Sequence, residues 1–176
     1  MPSEETRQQV FEKHFEQYWN SIHRLLLRIL GDSAEAEDLA LETFYRLYRR
    51  HSDTDPEFNV SSWLYRVATN LGLQSIRSFK RREYYEIAGG KAAPGETSED
   101  DPAALFDEEE NKRFARLALA SMNPRQSQLL ILRYSGMAYK DIAHALNLSP
   151  TSIGPLLLRA EREFEKCYLA FSQEDL

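Results

Sequence analysis

The segment SSWLYRVATNLGLQSIRSFKRR, residues 61–82, combines a helical apolar pattern with a basic end. Its apolar residues recur every three or four positions, the spacing of a buried helix face; they are Trp63, Leu64, Val67, Ala68 and Leu71. It contains five basic residues and no acidic one. Ser61 or Ser62 is predicted to cap this helix, because a serine oxygen can accept an unpaired backbone N–H. Two interpretations stay open: a surface for single-stranded nucleic acid, or a core helix with a solvated basic tail.

The charge of the chain is distributed unevenly. The 176 residues carry a formal net charge of -6, yet residues 89–110 alone hold eight acidic residues and one basic residue. Residues 111–176 hold nine basic and six acidic residues. Local basic surfaces are therefore compatible with the acidic total, and nucleic-acid binding is not excluded.

Composition also limits the class of protein. No apolar run approaches the roughly 20 residues that a membrane-spanning helix needs, and the polar N-terminus does not resemble a secretory signal. Cys167 is the only cysteine, so no internal disulfide can form, which fits a reducing cytoplasmic location. We therefore expect a cytoplasmic protein without membrane insertion.

Helical periodicity and turn residues predict an all-α chain of two small domains. The first, residues 1–88, is predicted as a bundle of three to four helices, with Gly31 ending the first and Asp32 or Ser33 capping the second. Residues 89–107, rich in glycine, proline and acids, are predicted as a flexible linker. The second domain, residues 108–176, ends in two helices joined by a tight turn, which predicts a helix-turn-helix. A plain helical bundle is the alternative.

Three segments together resemble the extracytoplasmic-function group of bacterial sigma factors, in the sigma-70 family. They are AEAEDLALETFYRLYR (34–49), FNVSSWLYRVATNLGLQSIRSFKRR (58–82) and NPRQSQLLILRYSGMAYKDIAHALNLSPTSIGPLLLRAEREF (123–164). The resemblance implies a region 2 domain, a connecting linker and a region 4 domain, in that order. It also implies that the chain directs RNA polymerase to promoters without being an enzyme and without a cofactor or metal.

The resemblance assigns a role to each segment. The first would meet the β′ subunit of core RNA polymerase, with β also a partner, through Glu37, Asp38, Leu39, Glu42 and Phe44. The second would capture a flipped base of the −10 element and hold the opened strand, through Phe58, Ser61, Trp63, Arg66, Asn70, Arg77, Lys80 and Arg81. The third would bind the −35 duplex, through Tyr139, Lys140, Thr151, Ser152, Arg159 and Arg162. An anti-sigma factor is a further implied partner.

The chain departs from the family pattern in two places. Leu41 stands where relatives usually have glutamine, which removes one polar polymerase contact. Gly154, Pro155 and Leu156 stand where relatives commonly have a cation, a small polar residue and an arginine. Proline inside a helix removes a hydrogen bond, so either the helix bends or Gly154 caps it. We expect weak or unusual −35 recognition. Leu156 and Leu158 are candidates for an apolar patch that binds a protein partner, with core packing as the alternative for at least one of them.

Two other functions are alternatives. One is a helix-turn-helix regulator that binds duplex DNA and never engages polymerase, which leaves the acidic segment 35–42 unexplained. The other is a helical adaptor that binds proteins through its apolar PLLL stretch. An enzyme is disfavoured, because the chain has no phosphate-binding glycine loop and no metal-spaced histidine or cysteine cluster.

Overall fold

The computed structural model describes residues 4–50, 58–88 and 102–174. Within these ranges it describes only the backbone of residues 4, 6, 83–88, 102–107 and 174. These ranges form seven helices and no strand, which confirms the all-α prediction. The helices are α1 (Glu4–Leu30), α2 (Ser33–Arg49), α3 (Val60–Ala88), α4 (Pro102–Ser121), α5 (Pro124–Tyr134), α6 (Tyr139–Leu146) and α7 (Pro150–Glu174).

The helix boundaries in the first half follow from local backbone chemistry. Gly31 ends α1 with a φ of +73°, a left-handed conformation that glycine adopts without steric cost. Asp32 caps α2 by accepting a hydrogen bond from the Glu35 N–H at 2.7 Å. The predicted serine cap of α3 is wrong, because the Asn59 side chain accepts from the Ser62 N–H at 2.9 Å and the helix begins at Val60.

Turn residues also set the boundaries in the second half. Asn123 caps α5 and Pro124 occupies its first turn, where the missing proline N–H needs no partner. Asn147 ends α6 in the left-handed conformation, with a φ of 53°. The turn between α6 and α7 brings Ala143 and Ile153 into the core, as the helix-turn-helix prediction requires.

Each half has its own apolar core. Ile22, Leu26, Phe44, Leu64 and Leu73 are fully buried among α1, α2 and α3. The second core is built by α5, α6 and α7; its most buried members are Leu129, Leu132, Ile142, Ile153 and Ala160. Two helical units are therefore present, as predicted.

The two halves are packed against each other through α3, which contacts α4, α5 and α6. Ala120 and Ile131 of the second half join the first core, and Tyr65 of α3 contacts both cores. The Arg28 guanidinium donates a hydrogen bond to the Tyr134 carbonyl at 3.2 Å. Of the predicted linker, residues 89–107, the first thirteen positions lie outside the described residues. Its last six positions, 102–107, form the first turns of α4.

Pro155 lies inside a continuous helix. Because α7 runs from Pro150 to Glu174, Gly154 is not its cap, and that alternative is wrong. Proline has no N–H to donate to the carbonyl four residues earlier, so the Thr151 carbonyl lacks its intrahelical partner.

Candidate nucleic-acid and polymerase interfaces

An aromatic pocket with a cation over it lies at the start of α3. The rings of Phe58 and Trp63 meet edge to face with centroids 6.1 Å apart. The Arg50 guanidinium lies 4.5 Å from the Phe58 centroid and 5.6 Å from that of Trp63. Together with Ser62 and Arg66 they line a cavity of about 160 Å³. Half-buried rings beside cations suit a nucleobase attached to its phosphate.

Arg50 was missed by the sequence analysis, because it follows α2 and looks like an ordinary basic helix end. The pair Arg49–Arg50 directly before a loop was the available signal. Ser61 is half-buried at the same helix start. The segment directly before Phe58, residues 51–57, lies outside the described residues.

Helix α6 of the second half closes one side of this pocket. His144 and Ala145 are among its lining residues, opposite Phe58 and Trp63. The first helix of the helix-turn-helix therefore lies where a captured base is predicted to enter.

Further along α3, three of the predicted −10 residues bind the second half. The Gln128 amide donates a hydrogen bond to the Asn70 side-chain oxygen. Arg77 points at the Ala120 and Met122 carbonyls, each 3.4 Å away. Lys80 donates to the Ser121 hydroxyl at 2.6 Å. Arg81 and Arg82, one turn later, are exposed.

The predicted polymerase face of α2 combines exposed acids with exposed apolar side chains. Glu37 and Asp38 are exposed, Leu39 is half-buried, and Glu42 forms an ion pair with Arg46 at 2.7 Å. Phe44 is only 1% exposed, so it supports this face from the core rather than contacting a partner. Three exposed residues were missed as candidate contacts: Leu41, Tyr45 and Tyr48. Their signal was the helical spacing of large side chains on the outer face.

The helix-turn-helix presents the predicted −35 residues at its surface. Tyr139, Lys140, Thr151, Arg159 and Arg162 are exposed, and Ser152 is half-buried. The Arg133 guanidinium lies 5.2 Å from the Tyr139 ring centroid, which adds another cation to this surface. The surface therefore combines cations with hydroxyl groups, as duplex DNA binding requires.

A second cavity lies between α1 and the second half. It has a volume of about 480 Å³ and apolar walls that include Leu25, Ile29, Leu130 and Phe164. Its polar lining residues are Arg28, Tyr134, Ser135 and Glu161.

Among the helices that the structure describes, none is long and apolar enough to cross a membrane. In the same ranges no group of three or more histidine, cysteine or acidic side chains converges as a metal site would require.

Comparison with known protein families matches both halves. Residues 14–83 match the model of Sigma-70 region 2, and residues 115–164 match that of Sigma-70, region 4. The two segments include the α3 pocket and the helix-turn-helix, respectively. Together they cover more than half of the chain.

Individual relatives agree with the family models. The chain is 44% identical over 75 residues to the ECF RNA polymerase sigma factor SigW of Bacillus subtilis, covering 41% of this chain and 40% of SigW. It is 27% identical over 186 residues to the ECF RNA polymerase sigma factor SigG of Mycobacterium tuberculosis, covering 93% of this chain and 50% of SigG. The chain thus spans half or less of the length of these relatives.

A solved structure shares the fold. The sigma factor RpoE of Bartonella quintana, in complex with the anti-sigma factor NepR, superposes with a TM-score of 0.54 at 18% identity, over 89% of this chain and 95% of that one. With both region models matched in order on one all-α chain, the protein belongs to the extracytoplasmic-function group of the sigma-70 family.

Proposed function

We propose that this protein is an RNA polymerase sigma factor that directs core polymerase to promoters, recognises the −10 and −35 elements and opens the duplex at −10. The observation that carries the proposal is the pocket of Phe58, Trp63 and Arg50 at the start of α3. Removing a base from the stack costs a few kcal/mol, and stacking on aromatic rings in a fitted pocket offsets that cost.

The basic residues along α3 are assigned to the opened strand. Arg66 lies at the pocket, and Asn70, Arg77, Lys80 and Arg81 follow it along the same helix. A strand whose base is held at Phe58 then has cations and an amide along its path. Because cations bind phosphates of any sequence, these residues hold the strand while the pocket reads a base.

Core polymerase is assigned to the outer face of α2. Exposed Glu37 and Asp38 supply charge, while Leu41, Tyr45 and Tyr48 supply apolar area that a partner can bury. Exposed aromatic residues are frequent in interfaces, where they contribute a large part of the binding energy. We assign the clamp of the β′ subunit to this face, with further contacts to β.

The division into a −10 domain, a linker and a −35 domain is part of the proposal. In the packed arrangement Asn70, Arg77 and Lys80 are engaged by α4 and α5, and His144 closes the pocket. Promoter binding therefore requires the halves to separate. An anti-sigma factor that binds the factor in its packed form would keep it inactive, and the RpoE–NepR complex shows that a protein of the same fold binds such a partner.

The chemistry assigned to the chain is binding alone. We propose that the protein catalyses no reaction, acts in the cytoplasm and leaves RNA synthesis to polymerase.

Transcription in vitro tests the proposal. Core RNA polymerase with the full chain should transcribe selectively from a genomic promoter library, whereas core enzyme alone should not. If the chain binds duplex DNA but not core polymerase at low salt, it is a regulator of the helix-turn-helix type. If it binds no promoter fragment even with polymerase present, the protein-binding adaptor is the correct function.

A further inference from the structure

Two apolar side chains, Pro155 and Leu158, lie together on the outer face of α7. Both are exposed, and Leu158 retains 51% of its accessible surface. They share this face with Thr151 and Arg162, because the four residues are spaced by four, three and four positions. Ile153, Leu157 and Ala160 face the core instead. The apolar pair therefore lies on the surface that the second helix of a helix-turn-helix presents to the major groove.

Exposed cations lie next to this apolar pair along α7 and on α6, and Glu165, one turn beyond Arg162, is exposed as well. Arg159 and Arg162 are exposed on α7, and Lys140 is exposed on α6. The acidic neighbour Glu161 accepts a hydrogen bond from the Tyr134 hydroxyl at 3.3 Å, on the side of α7 that faces α5. Apolar side chains on a helix that also presents exposed arginines match duplex DNA, whose base edges lie between two rows of phosphates. This charge complementarity favours DNA over an apolar protein as the partner.

The chemistry of these side chains limits which base edge they can meet. Neither Pro155 nor Leu158 can donate or accept a hydrogen bond through its side chain. A guanine or cytosine edge placed against them loses its hydrogen bonds to water without replacement, which is unfavourable. Thymine is the one standard DNA base with a methyl group in the major groove, and apolar side chains contact that methyl favourably.

Gly154 supports the same assignment. It shares the face with Thr151 and Leu158 and brings no side chain that could form a hydrogen bond. A Cβ at this position would meet only the Tyr139 ring, at 3.8 Å. The position therefore has room for a larger side chain. Because it is a glycine, contacts to base edges at this point of α7 are made by Pro155 and Leu158.

We propose that Pro155 and Leu158 give this protein its −35 specificity by contacting thymine methyl groups, rather than through side-chain hydrogen bonds to base edges. This inference rests on the proposed function, in which the second half binds the −35 duplex.

Selection followed by base substitution tests the inference. Holoenzyme assembled from the full chain and core polymerase is first used to select −35 sequences from a randomised segment upstream of a fixed −10 element. Thymines should be enriched at positions that face α7. Each is then replaced by uracil, which keeps every hydrogen-bonding group and lacks only the methyl. Burial of one such carbon is worth about fourfold in affinity, so the critical uracil should weaken binding by about that factor.

Variants of the protein test whether the Leu158 side chain is the group that contacts the thymine methyl. Leu158→Ala should weaken binding to the thymine promoter about as much as uracil does, and uracil should then cause no further loss. Leu169→Ala is the matched control, because Leu169 is exposed by 46% on the same helix, eleven positions further on. This control should keep the full sensitivity to uracil. Circular dichroism verifies that both variants are folded.

Three outcomes overturn the inference. They are selected elements without thymine, equal affinity for thymine and uracil promoters, and a Leu158→Ala loss that is the same for both. In each of these cases promoter-dependent transcription persists and the proposed function stands. Absence of any promoter-dependent transcription instead overturns the proposed function.

Discussion

The side chains of Asn70 and Gln128 are joined by a hydrogen bond between the two halves of the protein, although 58 positions separate them in the sequence. Asn70 is predicted to contact the opened −10 strand, so this bond occupies a DNA-binding group. Gln128→Ala should raise the equilibrium constant for separation of the two halves about fivefold, because one hydrogen bond with a net value of about 1 kcal/mol is lost. Small-angle scattering of the free protein should show a larger radius of gyration.

Asn70→Ala is the matched control, because it breaks the same bond from the other side. It should open the protein equally, yet it should lower transcription because a strand contact is lost. Gln128→Ala should keep or raise transcription. Equal transcription by the two variants contradicts the assignment of Asn70 to DNA.

A second prediction concerns the basic end of α3. Replacing Arg77, Lys80 and Arg81 with alanine should abolish transcription while leaving affinity for core polymerase within about twofold. Each lost contact to single-stranded phosphate should also lower the salt dependence of binding by roughly 0.7 units. Permanganate reactivity of −10 thymines measures opening directly. The control is Lys112→Ala with Lys166→Ala, which removes two exposed cations elsewhere and should leave opening of the −10 duplex intact. Transcription by the triple variant would contradict the assignment of Arg77, Lys80 and Arg81 to the opened strand.

Local backbone chemistry explains why the elements of the fold could be predicted from the sequence. Gly31 adopts a left-handed conformation and Asp32 caps the next helix, so residue type alone indicated where α1 ends and α2 begins. The cap of α3 was misassigned because Ser61, Ser62 and Asn59 are all good caps, and backbone geometry decides among them.

The packing of the halves could not be predicted in this way. Asn70, Gln128 and Lys80 look like solvated polar residues, because side-chain hydrogen bonds between distant segments leave no periodic pattern. The same reason hid Arg50, whose role depends on the rings that approach it from α3. Periodicity identifies which face of a helix is buried, and it does not identify which polar groups meet.

A third prediction concerns the outer face of α2. Reversing charge with Glu37→Lys and Asp38→Lys should weaken binding to core polymerase roughly tenfold, mainly through slower association that depends on salt. The urea midpoint should stay unchanged, because both side chains are exposed. Glu16→Lys on α1, also exposed, is the control for net charge. An equal loss with Glu16→Lys shows that general electrostatics, rather than this face, controls binding.

Phe44→Ala tests the core beneath that face. Because Phe44 is 1% exposed and its ring contacts Phe15 and Trp19, truncation should cost about 3–5 kcal/mol of unfolding free energy. Urea denaturation monitored by tryptophan fluorescence measures this loss. Weaker polymerase binding without a loss of stability contradicts the placement of Phe44 in the core.

The Cys167 thiol should react slowly near neutral pH. Burial raises the pKa of Cys167, and the negative charge of Glu163 raises it further. Because the thiolate is the reactive form, alkylation should accelerate only at pH values above those typical of a free thiol. In a Cys167→Ser background, Leu169→Cys places an exposed thiol on the same helix and should react faster at pH 7. Equal rates at the two positions contradict the effect of burial.

The last prediction concerns the proline inside α7. Pro155 removes one hydrogen bond within a helix that is otherwise continuous, so Pro155→Ala should stabilise the second half by about 1–3 kcal/mol. The gain is smaller than the full helix-propensity difference because proline also restricts the unfolded chain. Pro150→Ala is the matched control, since a proline in the first turn costs no hydrogen bond, and its urea midpoint should change little. If Pro155→Ala lowers the urea midpoint instead, the proline ring stabilises the helix-turn-helix through packing. Pro155 then does not destabilise α7, and the prediction is wrong.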